Sequence, residues 1–183
     1  MTLVRSTLSF VVASCVLLAA EPNDTPGPAP KVDRVGFPTG YAQSFQILRT
    51  NPRKDEFKVV TVYGNAAAAS ITNLAQLPYP NGSIIVMETA SVQKDATGKA
   101  VVDVQGQLIK DAVLGLHVMR RGPGFGEAYQ TNRTAEWEYV EYRPDGTYLT
   151  PPEKSATCAA CHVKAGAQKD FVYHGRFSEA SKP

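Results

Sequence analysis

Ser83-Ile84-Ile85-Val86-Met87-Glu88-Thr89-Ala90-Ser91-Val92 is the stretch that decides the fold. In an extended chain Ile84, Val86 and Glu88 share one face, and Ile85, Met87 and Thr89 share the other. Its β-branched content predicts a strand, closed off upstream by the turn Tyr79-Pro80-Asn81-Gly82. Downstream, Lys94 to Lys99 reads as a hairpin tip around Thr97-Gly98, with Val101 to Val104 as its return arm. Asp111 to Arg120 and Glu136 to Tyr142 read as further strands. In the first, Val113, Gly115 and His117 lie opposite Leu114, Leu116 and Val118; in the second, Trp137, Tyr139 and Glu141 share a side. Upstream, Phe57 to Tyr63 is another strand. Asn65 then caps a helix through Gln76, built on Ala66 to Ala69. Tyr41, Phe45 and Leu48 fall at helical spacing, so Gly40 to Leu48 reads as a short helix leading into a strand, broken at Thr50-Asn51-Pro52. About five strands with three or four short helices make an α+β fold with an antiparallel sheet. Gly122-Pro123-Gly124-Phe125-Gly126 is a loop; its proline and the lack of a following helix exclude a nucleotide-binding turn.

Behind this β-rich body, on a short helix, comes Cys158-Ala159-Ala160-Cys161-His162. Two thiols three positions apart with an imidazole directly after form the c-type haem attachment signature. The thiols stand about one helical turn apart, each able to add to one haem vinyl group, and His162 can reach the iron. A thiol redox pair has no need of His162. A zinc site needs two more ligands, and His117 and His174 lie at no ligand spacing. The expected cofactor is one covalent haem c per chain, with His162 as the metal ligand.

Length and composition narrow the rest. The chain has 183 residues and a formal net charge of +2, too small to argue for nucleic acid. Of the three cysteines, Cys15 lies in the N-terminal apolar run, so no disulfide framework is available. Residues 1–20 read as a secretory signal, with Arg5 before the apolar run Leu8 to Ala20, and imply a periplasmic location. Val12-Ala13-Ser14-Cys15 resembles a lipoprotein processing box, although apolar residues continue after Cys15. A lipoprotein or an uncleaved membrane anchor stays open. Residues 21–36, with Pro22, Pro26, Pro28 and Pro30, read as a flexible linker. The haem domain is expected over 37–178, and a tail over 179–183.

Taken together, the chain resembles the cytochrome P-460 and cytochrome c-prime-beta group over roughly Gly40 to Phe177. The matching stretches are Phe57 to Tyr63, Gly82 to Glu88, the Trp137 strand, and Cys158 to His162 followed by Asp170-Phe171-Val172. The resemblance implies thioether roles for Cys158 and Cys161, a proximal role for His162, and a homodimer. In the cytochrome P-460 branch a lysine on the central strand is bonded to the haem ring; here Met87 holds that place, so the cross-link is expected to be absent. The branch's distal arginine falls here on Val60. Both departures point to the cytochrome c-prime-beta side, with an apolar distal pocket lined by phenylalanine. Phe57 and Tyr79 stand where such residues are expected.

The leading expectation is therefore a five-coordinate haem iron that binds a small gas such as nitric oxide. One alternative is an enzyme oxidising hydroxylamine or nitric oxide. It needs a polar distal group, which Glu138 or Glu141 supplies if its strand face turns inward. The other is a six-coordinate electron carrier, with Met87 or His117 on the iron and a redox partner protein. Met87 and His117 otherwise read as sheet residues, and His174 as exposed. Glu88 is expected to pair with an arginine such as Arg120 or to lie at a dimer face. Arg120-Arg121 is either a solvated strand end or a holder of haem propionates.

Overall fold

Alternation in the central strands builds a six-stranded antiparallel sheet whose strands lie side by side in chain order. The computed structural model describes residues 27–53 and 57–173. The signal region, Cys15, His174 and the tail lie outside them. The strands are β1 (Gln46–Arg53), β2 (Lys58–Gly64), β3 (Ile84–Val92), β4 (Lys110–Arg121), β5 (Trp137–Tyr142) and β6 (Tyr148–Thr150). The helices are α1 (Tyr41–Ser44), α2 (Ala66–Ala69) and α3 (Ala156–Val163). Among the described residues no helix is long and apolar enough to cross a membrane.

The α+β expectation holds, with six strands where the pattern announced about five. β1 runs straight through Thr50-Asn51-Pro52, and Pro52 pairs with Val59. A proline is tolerated there because β1 is an edge strand, where a missing N–H costs no central ladder bond. β6 is too short to show any periodicity. The expected helix from Asn65 to Gln76 is two pieces. Asn65 caps α2 by accepting from the Ala68 N–H at 3.0 Å. After Ala69 the chain breaks, and Asn73 starts a separate single-turn helix closed by a reciprocal bond with Gln76. Side chains that bond the nearby backbone compete here with helix continuation. Beyond β3 the hairpin tip is doubled: Asp95 and Asp103 each accept backbone N–H groups two and four residues on.

The two faces of the sheet are covered differently. On one, Val86, Leu116, Val118, Val140 and Tyr142 pack with Val35, Phe37, Tyr41 and Phe45. This corrects the linker boundary: residues 33–36 belong to the folded body. Val35 is 1% exposed, Asp33 accepts from the Tyr142 hydroxyl at 2.6 Å, and Arg34 pairs with Glu138. An apolar anchor directly after two polar ones outweighs the extended bias of the prolines before it. Glu88, on this face and 3% exposed, pairs with Lys110 at 2.6 Å and with the Tyr41 hydroxyl at 2.5 Å. Its partner is a lysine in the same sheet, not Arg120. On the other face, Ile85, Met119, Trp137 and Tyr139 pack beneath α2, α3 and Tyr129.

Candidate functional site

α3 carries the cysteines and is fixed by its entry. Ser155, fully buried, donates to the Pro152 carbonyl at 2.6 Å and shares a hydrogen bond with the Tyr129 hydroxyl at 2.8 Å. Ala156 and Ala159 turn inward, and their small side chains let α3 lie close to its neighbours. One turn apart, Cys158, Cys161 and His162 then line a cavity of about 410 Å³ between α3 and the sheet. Neither thiol is in a disulfide. Burial pushes the Cys158 thiol up to about 11. A neutral thiol is the opposite of what a redox nucleophile needs.

His162 is oriented from behind. Its Nδ1 lies 2.7 Å from the Phe171 carbonyl oxygen. A carbonyl can only accept, so Nδ1 carries the proton and Nε2 keeps the lone pair. The ring stacks on Tyr139 at 4.5 Å and meets the edge of Tyr173 at 5.6 Å. Burial pushes the imidazole below its ordinary value and favours this neutral form.

The sheet wall is organised in rows. Arg49 pairs with Val62, Val62 with Met87, Met87 with His117, His117 with Glu141, and Glu141 with Thr150. The first five of these line the cavity, together with Ile85, Met119 and Tyr139 from the next row. The row is apolar at its centre and polar at both ends. His117 Nδ1 stands 2.5 Å from Glu141 Oε1, and the Thr150 hydroxyl donates to the same carboxylate. The His117 bond first, and Thr150 after it, hold the Glu141 carboxyl below its ordinary value against the opposing effect of burial.

Of the residues singled out from the sequence, Met87, Cys158, Cys161 and His162 come together on this cavity. Phe57 and Tyr79 do not. Phe57 precedes β2 in a left-handed conformation with φ 51° and is largely exposed, with the Lys94 ammonium 4.5 Å from its ring centre. Tyr79 is core, edge-on to Trp137 at 5.6 Å. Among the described residues no phenylalanine lines the cavity, and its wall is not wholly apolar. The place given to an arginine holds buried Val60, but Arg49 enters from β1. Nothing in the local pattern around Arg49, between a short helix and the break at Thr50, announces this; only the cross-strand register sets it beside Val62. Glu141 faces the cavity, whereas Glu138 faces away and pairs with Arg34. Arg121 does not line the cavity; it is buried against Asp170 at 2.9 Å.

These residues fit haem. Two thiols one helical turn apart, an imidazole with a fixed Nε2 lone pair, and apolar walls are the donor set and surroundings of a tethered porphyrin. Among the described residues, no group of three or more His, Cys, Asp or Glu side chains could hold a metal ion on its own. The family model described as Cytochrome P460 matches residues 38–174. No curated protein matches the chain.

Proposed function

The chain belongs to the cytochrome P460 family of c-type haem proteins, and from that premise we propose that it binds a small nitrogen-oxide ligand such as nitric oxide at one open position of a single covalently held haem. Bound haem supplies an iron centre that takes such a ligand and changes oxidation state. Cys158 and Cys161 are the thiols that would hold it, each S–H adding across one vinyl group. His162 offers Nε2 to the metal, with Phe171 fixing its tautomer. Val62, Met87 and Met119 exclude water from the cavity wall. The observation that carries the reading is the row itself, whose centre offers an apolar surface and no charged side chain. Met87 occupies its middle and has no amine with which to cross-link the ring.

A second reading is favoured by one specific feature, the Glu141–His117 pair at the row's end. Oxidising hydroxylamine removes protons as well as electrons. Glu141 is ionised at neutral pH and can take a proton; half-exposed His117 can pass it to water, while electrons leave to a partner protein. Exported location and a homodimer complete the proposal.

The test is the absorption spectrum of the purified protein, ferric and ferrous, with and without nitric oxide. A high-spin ferrous spectrum that shifts with the gas supports the open site. A low-spin spectrum indifferent to it overturns the open site in favour of Met87 or His117 on the iron. Hydroxylamine turnover with an artificial electron acceptor, lost in Glu141→Gln while nitric oxide binding persists, would establish the second reading.

A further inference from the structure

The Phe171 carbonyl reaches His162 only because the chain does something costly just before it. Asp170 and Phe171 both have positive φ, 48° and 59°. Two consecutive L-residues in the left-handed region are disfavoured, and such a pair persists only where the surroundings over-determine it. Here the surroundings are specific. The Asp170 carboxylate is 4% exposed. It accepts from Arg121 Nη1 at 2.9 Å and from the Tyr79 backbone N–H at 2.9 Å. Arg121 sits at the end of β4 and is steadied by Glu136 at 3.3 Å. The reversed backbone is closed by the Phe171 N–H on the Gly166 carbonyl at 3.0 Å. One buried ion pair thus ties β4, the loop before β3 and the segment after α3 to a single backbone geometry.

We propose that Asp170 and Arg121 are positioning residues for His162: they hold the Phe171 carbonyl against Nδ1 and so set how strongly Nε2 donates to the metal. This rests on the reading of His162 as the axial ligand. A hydrogen bond accepted from the far nitrogen of a ligating imidazole raises its basicity. Stronger donation favours the ferric state, so weakening this bond raises the potential.

The experiment uses the haem-loaded protein. The iron–histidine stretching band of the ferrous form and the midpoint potential are measured for the wild type, Asp170→Asn, Asp170→Ala and Arg34→Ala. Asp170→Ala is expected to lower the band and to raise the potential by about 59 mV, a tenfold change in the ferric-to-ferrous preference. Asp170→Asn, which keeps the shape but not the charge, moves both the same way by less. It also serves if the alanine variant does not fold. Arg34→Ala removes the partner of a different buried carboxylate, Glu138, so it lowers the melting temperature while leaving band and potential in place. A wild-type band that is present and unmoved in both Asp170 variants, with the potential unchanged, overturns the positioning role alone. A five-coordinate high-spin ferrous wild type with no iron–histidine band overturns the axial reading itself.

Discussion

Glu138 and Glu141 sit three residues apart on the same short strand and live in different worlds. Glu138 is 1% exposed. It pairs with Arg34 and also accepts from the Gly126 N–H at 3.2 Å. Glu141 opens onto the cavity, bonded to a histidine that is itself half exposed. An odd separation on a strand puts the two carboxylates on opposite faces of the sheet. The face with Glu138 is covered by the N-terminal segment, and its carboxylates are buried and paired, Glu138 with Arg34 and Glu88 with Lys110. The face with Glu141 is only partly covered by α3, and its polar groups remain available. A carboxylate serves structure where every lone pair is claimed by the fold, and chemistry where one side still faces an open volume.

The two faces differ most at Arg34. Arg34→Ala takes a partly exposed cation from buried Glu138, and the loss expected is about 2 kcal/mol, read by denaturant unfolding of the haem-loaded protein. Ligand binding should be unchanged. A small loss would mean that the covered face is less closed than the geometry implies.

At Glu141 the expectation reverses. Glu141→Gln should cost under about 1 kcal/mol of stability, because the pair is partly solvated. Any hydroxylamine oxidation should fall by roughly 100-fold, the lower range for losing a positioned base. Steady-state turnover and unfolding of one preparation decide both.

The same residue sets a pH dependence. The His117 bond holds its carboxyl below the ordinary glutamate value. The contribution of its bonds to stability is therefore full above the unfolded value and is lost as pH falls through the lower folded value. Turnover that depends on ionised Glu141 should hold a plateau through neutral pH and decline only in acid, below the ordinary glutamate range. A decline centred near neutrality would assign the base to another group.

Met87→Leu sharpens the centre of the row. The swap conserves volume and should cost less than about 1.5 kcal/mol. With Met87 as wall rather than ligand, the ferrous spectrum stays as it was; a change from low to high spin would show that the sulfur had been on the iron. The smallest effect belongs to Phe57→Ala, which removes an exposed ring outside the cavity and should shift stability by no more than about 0.5 kcal/mol, with nitric oxide binding untouched.

Much of this molecule is written locally. Cys158-Ala159-Ala160-Cys161-His162 is legible because its chemistry demands adjacent positions on one helical turn. β3, β4 and β5 are legible because alternation repeats over many residues. The α+β class follows from those strands, and the two faces of β3 were already separable by parity. What stayed hidden depends on residues remote in sequence. Arg49 comes to the cavity through pairing with β2, and the helical spacing of Tyr41, Phe45 and Leu48 masked its strand. Parity alone placed Glu138 and Glu141 apart without saying which faced the cavity; that waited on Arg34 and Val35 covering one side and α3 the other. Phe57 and Tyr79 were drawn toward the site by position along the chain, but a left-handed turn and a Trp137 contact took them elsewhere. The carbonyl that orients His162 depends on an ion pair between β4 and the chain after α3. Covalent and periodic constraints act between neighbours and can be read in order, whereas register, coverage and long-range ion pairs exist only once the whole sheet has closed.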